Sequence, residues 1–272
     1  MKRIVIYMVL MVSAVITFLV LTQKETNAAL SGPLFSTECN GQVPFGKPTS
    51  NRTNTTLVCR KAYMLEHDNN SKIPVWVSYV LTPEHTVGCV RRSNAFRADT
   101  SLPAYSTPKD YSHSGYDIGH QANDEDMSWD VDVERESFLL SNMAPQVPGF
   151  NRGIWKDLED QTRAWASNRQ HSLLIYVGPI YNKNDKTIGN GVTVPHAFYK
   201  IIFDMTTHEA IVTEFLNQAS NANLNSFIVP FEKVEADTGI NFPLLFNVQF
   251  SKTMWPSPTK SIRKQKATVC SS

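Results

Sequence analysis

Asp117-Ile118-Gly119-His120-Gln121-Ala122 opens the stretch on which the reading of this chain turns. Ser141-Asn142-Met143-Ala144-Pro145-Gln146 follows, and then Asn151-Arg152-Gly153-Ile154-Trp155 through Leu158-Glu159. A histidine is thus succeeded by an amide-rich segment and then by a carboxylate on a helical pattern. An imidazole titrates near neutrality and can accept a proton from water. An amide oxygen is a neutral, hard ligand suited to Mg²⁺, an ion that keeps most of its waters. A carboxylate can organise the water such an ion carries. Together these are the parts required for phosphodiester hydrolysis with one metal ion.

Each candidate has a plainer competing reading. His120 has Asp117 three residues before it and Gly119, which allows close backbone approach, beside it. The other histidines lack such a neighbourhood. Asn151 serves equally well as a helix N-cap, a role Asn favours; Asn142 is a weaker candidate of the same chemical type, suited to orienting the site. Glu159 lies eight residues after Asn151, two helical turns on and near the same face. With Arg163 four residues later it would also make an ordinary surface ion pair of little worth. Arg91 and Arg92 are adjacent guanidinium groups able to bind phosphate oxygens in bidentate fashion, or simply solvated. Trp155 and Trp165 sit on the helical pattern as core residues; Trp129 could stack on a base.

Outward from this stretch, Leu57 to Leu65 and Ile73 to Leu81 alternate as strands, with Asp68-Asn69-Asn70-Ser71 as the turn between them. Ala98 to His113, with two prolines, reads as a surface loop. Ile154 to Ser167 carries a helical apolar pattern that begins near Asn151. Ser172 to Val177 is a short buried strand ended by Gly178-Pro179. Ala197 to Asp204 and Ala210 to Leu216 form a further strand pair, and Pro230 to Thr238 a helix stopped at Gly239. Strands and helices do not alternate regularly, so a parallel βαβ sheet is excluded in favour of an α+β fold: a central antiparallel sheet flanked by helices.

At the N-terminus, Lys2 and Arg3 precede an apolar run from Ile4 to Leu21 and a small-residue stretch suited to cleavage after Ala28. That is the pattern of a secretory signal peptide over 1–28, with an uncleaved anchor as the competing reading of so long an apolar run; cleavage leaves one domain over 29–272 and a secreted or periplasmic protein. No later segment is apolar enough to span a bilayer, so no stable membrane partner is expected after cleavage. The four cysteines all follow the signal and lack the close spacing of a zinc site. Of their three pairings, Cys39–Cys59 with Cys89–Cys270 is preferred: the first closes a local loop and the second ties down the tail. The 26 Lys and Arg nearly balance the 25 Asp and Glu. This argues against tight, processive binding to a polyanion and places any phosphate attraction in a local patch and a metal.

In order and spacing the chain resembles the sugar-non-specific DNA/RNA endonucleases, the Serratia nuclease-like family of the ββα-metal superfamily. The likeness runs from Trp76-Val77-Ser78-Tyr79 and Phe96-Arg97-Ala98-Asp99 through the histidine motif and Ser141–Gln146. It continues through Asn151–Glu159, Val177-Gly178-Pro179 and Phe198-Tyr199-Lys200 to Glu235 with Thr238-Gly239. The resemblance implies a ββα-metal motif in which His120 is the general base and Asn151 the single direct ligand of Mg²⁺, with Mn²⁺ as a substitute. Glu159 would orient metal-bound water, Asn142 and Arg163 would support the site, and Arg92, or Arg91 in its place, would bind phosphate. It implies DNA and RNA as substrates and 5′-phosphate products. One departure stands out: the family has arginine where this chain has Ile118. The site is then short of one cation unless Arg152 or Lys109 reaches in. Two rival functions follow: a nucleic-acid-binding homologue with impaired catalysis, and a secreted phosphodiesterase acting on small molecules.

Overall fold

The hairpin expected around Asp68–Ser71 is present and starts the central sheet. The computed structural model describes residues 37–244, 247–256 and 260–270; the signal-peptide reading of 1–28 lies outside them. Strands β1 (Thr55–Cys59), β2 (Met64–Asp68) and β3 (Ile73–Leu81) form a meander. Asp68 Oδ1 closes its second turn by accepting from the backbone N–H groups of Asn70 and Ser71 at 2.8 and 3.3 Å. A short hairpin, β4 (Asp117–His120) with β5 (Met143–Gln146), stands apart from the sheet. Strands β6 (Leu173–Ile180), β7 (Ala197–Asp204), β8 (Glu209–Leu216) and β9 (Gln249–Phe250) complete the sheet in the order β9-β8-β7-β6-β3-β2-β1. Its neighbours are antiparallel except β8 and β9, which run parallel. Helices α1 (Val131–Ser137), α2 (Lys156–Arg169), α3 (Phe231–Thr238) and α4 (Lys260–Val269) complete the α+β arrangement.

Every residue of β6 and β7 is buried, because both faces of the sheet are covered. Alternate side chains divide between two cores, as the strand period of two requires. On one face Val77, Ile175, Val177, Phe198, Ile202 and Phe215 pack with Trp155, Leu158 and Trp165. On the other, Trp76, Tyr176, Tyr199 and Phe203 pack with Val234, Ile240 and Phe242. Trp155 and Trp165 are therefore core residues, as their spacing implies. Trp155 lies in an aromatic cluster with Phe150, Phe198 and Phe215. Trp165 donates to Trp255 O at 2.6 Å. Trp129 is stacked on His85 at 4.2 Å between ring centroids.

The fold corrects several boundaries. Leu57 to Leu65 is two strands, reversed between Arg60 and Tyr63, where Arg60 N–H donates to Tyr63 O at 2.9 Å. The sixth strand does not stop before Gly178-Pro179 but runs through to Ile180. Pro179 is tolerated because β3 pairs β6 only as far as Val177, so one flank of the proline has no strand to hydrogen-bond. Gly178 is required by close approach, since a Cβ there would lie 2.8 Å from Val75 O. Helix α1, capped by Asp130 through Asp132 N–H and Val133 N–H, has no counterpart in the sequence reading. The preferred disulfides are both formed, Cys39–Cys59 and Cys89–Cys270, with Cα separations of 5.8 and 5.4 Å. Among the described residues no helix is long and apolar enough to cross a membrane.

His67 on β2 is buried, with Nε2 3.1 Å from Ala104 O. Burial, opposed by that bond, holds its imidazole down to about 4. The unfolded chain, titrating near 6.5, takes up the proton first as pH falls. The stability His67 contributes is therefore present above about 6.5 and lost progressively as pH falls toward 4, by about 3 kcal/mol in full. Urea unfolding at pH 7 and pH 4.5 is expected to show a lower midpoint at the acid value. In His67→Gln, which keeps a donor for Ala104 O but does not titrate, the fall should be smaller; an equal fall would assign the loss to other groups.

Candidate active site

The β4–β5 hairpin sets the register of the site. Asp117 pairs with Gln146, Ile118 with Pro145, Gly119 with Ala144 and His120 with Met143. Glycine is needed at 119 because the Gln146 side chain lies across it, and a Cβ would stand 2.1 Å from Gln146 Oε1. After β5 the chain makes one turn at Pro148–Phe150 and a π-helical turn over Asn151–Trp155, then enters α2. Hairpin and helix together form a ββα unit packed on one face of the central sheet. Between them opens a cavity of about 1050 Å³, whose walls include His120, Asn151, Glu159, Arg92 and Ile118.

His120 is buried at the end of β4, with Phe96 and Phe138 against its ring at 5.6 and 4.8 Å. Burial, with the neighbouring Arg92 charge adding to it, holds the imidazole down to about 3. The ring is therefore neutral across the physiological range and open to accept a proton. Its Nε2 is buried without a hydrogen-bond partner among the described residues.

Asn151 is not a helix N-cap. Its backbone is already helical (φ −56°, ψ −46°), and its side-chain Nδ2 donates to Asp117 Oδ2 at 2.9 Å. That bond commits the nitrogen end of the amide and leaves Oδ1, which meets no donor among the described residues, as the end able to take a ligand in the cavity. Arg152 grips the same carboxylate through Nε and Nη2 at 2.8 and 2.5 Å. Against the opposing effect of partial burial, the bonds from Arg152 and Asn151 hold Asp117 below the usual carboxylate range. Arg152 lines the cavity beside Ile118; Lys109 does not. A cation thus stands near the position where the family's arginine is missing, already shared with Asp117.

Glu159 is buried on the cavity wall. Burial raises its carboxyl above the ordinary value, opposed chiefly by Lys200 and Arg163. Lys200 projects from β7, 1% exposed, with Nζ 3.8 Å from Glu159 Oε1 and 4.5 Å from the Trp155 ring centroid. Burial lowers its ammonium, and Glu159 opposes that. The role of Lys200 beneath Glu159 was missed in the sequence reading, although a lysine amid Phe198, Tyr199, Ile201 and Ile202 is anomalous enough to mark it. Arg163 is also buried, its guanidinium donating to Asp126 at 2.9 Å, Asn123 at 3.2 Å and Asp160 at 2.5 Å. Arg163 is thus a strut of the wall and no surface partner of Glu159.

Arg92 stacks over Phe138 at 5.0 Å, donates to Asn94 Oδ1 at 2.7 Å and pairs with Asp124. Arg91 lines the same cavity. Asn142 does not line it. Its Oδ1 accepts from Ala122 N–H at 2.9 Å, and its Nδ2 donates to the carbonyls of Ala122 and Ser137, each at 2.9 Å. All its polar capacity goes to backbone, so it positions the turn after His120. Among the described residues no cluster of three or more His, Cys, Asp or Glu is arranged to enclose a metal. One amide oxygen and one carboxylate suit a hydrated divalent ion of the Mg²⁺ type better than a four-ligand zinc site.

A sheet with a ββα unit on one face, carrying a neutral histidine, an asparagine oxygen and a glutamate around one cleft, defines a metal-dependent nuclease. The sequence pattern of the DNA/RNA non-specific endonucleases matches residues 42–247, and the chain belongs to that family. It is 30% identical over 205 residues to human mitochondrial endonuclease G, covering 68% of this chain and 69% of that protein. To a nuclease of Serratia marcescens it is 30% identical over 209 residues, 72% of this chain and 77% of the other. A crystal structure described as the EndoG/EndoGI complex superposes with a TM-score of 0.71 at 28% identity, over 80% of this chain and 98% of that one.

Asp117 is the residue whose part only the geometry reveals, because it aims Asn151. Partners that orient a metal ligand typically contribute 10–100-fold to metal affinity. Asp117→Ala is expected to weaken Mn²⁺ binding, followed by the paramagnetic signal of the free ion, by roughly that factor. Affinity equal to wild type would show that the bond from Asn151 to Asp117 plays no part in metal binding.

Proposed function

We propose that this protein is an exported, Mg²⁺-dependent endonuclease that hydrolyses DNA and RNA with little sequence preference and leaves 5′-phosphate ends. The observation that supports this reading best is the convergence of His120, Asn151 and Glu159 on one cleft. A divalent cation held at Asn151 Oδ1 would supply charge stabilisation at the phosphate and its leaving 3′ oxygen. His120, neutral because it is buried, takes the proton of the attacking water at Nδ1, the ring nitrogen other than the enclosed Nε2. Glu159, its carboxyl raised by burial against the opposing charge of Lys200, holds and orients water from the cavity wall. Arg92 offers positive charge to a phosphate oxygen beside His120. None of these groups requires a 2′-hydroxyl, which supports action on both DNA and RNA. Export is supported by the N-terminal signal pattern and by two disulfides, which persist in oxidising compartments.

The purified protein is expected to degrade both supercoiled plasmid and RNA in Mg²⁺ and to stop in EDTA. His120→Ala should lower turnover by about 10²–10⁴-fold without loss of fold. Its fragments should be ligatable without prior kinase treatment. Cleavage indifferent to EDTA, or a His120→Ala enzyme close to wild type, would overturn the mechanism; fragments that need a kinase would overturn the stated polarity.

A further inference from the structure

The cations lining the cleft are not equally free. Arg92 is paired with Asp124, Arg152 with Asp117, Lys156 with Asp160, and Arg163 with Asp126 and Asp160. Arg91 and Lys266 also line it, and neither has a carboxylate within ion-pairing distance among the described residues. Among the described residues the Lys266 ammonium meets only the neutral hydroxyl of Ser128, at 3.4 Å. A cation already paired with a carboxylate releases fewer of the counterions condensed on nucleic acid than an unpaired one does when each meets a phosphate.

The two free cations come from distant parts of the chain and are joined by one covalent bond. Arg91 follows Cys89 by two residues and Lys266 precedes Cys270 by four; the Cys89–Cys270 disulfide spans 181 residues. Both ends are also fastened by hydrogen bonds. Val90 N–H donates to Ser128 O at 2.8 Å and Ser128 Oγ to Gly88 O at 3.2 Å, which fixes the backbone on either side of Cys89. Ser167 Oγ on α2 donates to Gln265 Oε1 at 2.7 Å, which docks α4 on the active-site helix. Lys266 and Cys270 lie beyond residues 42–247, the span of the family pattern.

We infer that Arg91 and Lys266 form a phosphate clamp for the nucleic-acid backbone flanking the scissile bond, assembled by the Cys89–Cys270 disulfide. The inference rests on the nuclease reading of the cleft. The clamp supplies the local positive charge that the nearly neutral chain otherwise lacks.

The test is equilibrium binding of a fluorescein-labelled duplex and its single strand in EDTA, as a function of NaCl. The protein carries His120→Ala so that substrate is not consumed. Adding Lys266→Ala or Arg91→Ala should each reduce the slope of log affinity against log salt by about 0.9 on duplex and about 0.7 on single strand. The two together should reduce it by twice that. Lys183→Ala, which removes the same charge outside the cleft, should leave the slope unaltered. Cys89→Ser with Cys270→Ser should lose as much as the double cation variant. Because that pair could also destabilise the fold, the single-charge variants decide the matter. Slopes unaltered in Lys266→Ala and Arg91→Ala would overturn the clamp, as would an equal fall in Lys183→Ala. If the protein with His120 intact cleaves nucleic acid in Mg²⁺ while the slopes stay unaltered, the clamp alone fails. If it cleaves none, the nuclease reading fails.

Discussion

The buried guanidinium of Arg163 is the constraint around which the active-site wall is built. Its charge is out of water, 3% exposed, and tolerable only because Asp126, Asn123 and Asp160 meet it together. Asp126 in turn accepts from Tyr79 OH on β3 at 2.8 Å. One network therefore ties α2, the segment following His120 and the central sheet to one another. Breaking such a buried pair typically costs about 3–5 kcal/mol, because the partner charge is left stranded. Glu159 lies one helical turn before Arg163, so its place in the cleft follows from this anchorage and from Lys200 beneath it.

The same logic governs the other side of the cleft. Asn142 uses its whole amide to hold the backbone beyond His120, and Asp117 uses its carboxylate to hold Asn151 and Arg152. Chemically capable side chains are thus each restrained by a neighbour whose own role is orientation. Restraint has an electrostatic consequence, since most cleft cations are already paired with carboxylates. The net field at the cleft then depends on a small number of unpaired groups, in keeping with a chain whose formal net charge is only +1.

Much of the fold was legible in the order of residues. The β2–β3 hairpin, the strand pair of β7 and β8, the helix before Gly239 and the α+β class all follow from apolar periodicity and turn chemistry, which are local properties. His120, Asn151 and Glu159 were legible as residue types at suggestive spacings, and the structure brings all three to one cleft. Boundaries failed where a tertiary contact overrode the local signal. Arg60 and Lys61 reverse the chain because Asp99 and Glu136 await them; Pro179 stays in a strand because its neighbour has ended. Helix α1 depends on the cap at Asp130, a signal present in the sequence but carried by a segment of weak apolar pattern.

What the sequence determined by itself, then, was the class of fold, the chemical inventory of the site and the number of cysteines available to pair. Those properties depend on side-chain type and short-range spacing. The tertiary structure alone decided which polar groups are spent on other protein groups and which remain available. Asn151 changed from a helix N-cap to a directed amide oxygen, Arg163 from a surface partner to a buried strut, and Lys200 from a strand residue to the counter-charge of Glu159. The physical reason is that hydrogen-bond satisfaction, desolvation and ion pairing are set by groups distant in sequence: Asp117 for Asn151, Asp126 for Arg163, and β7 for Glu159. Spacing along a chain cannot report them until the chain has folded.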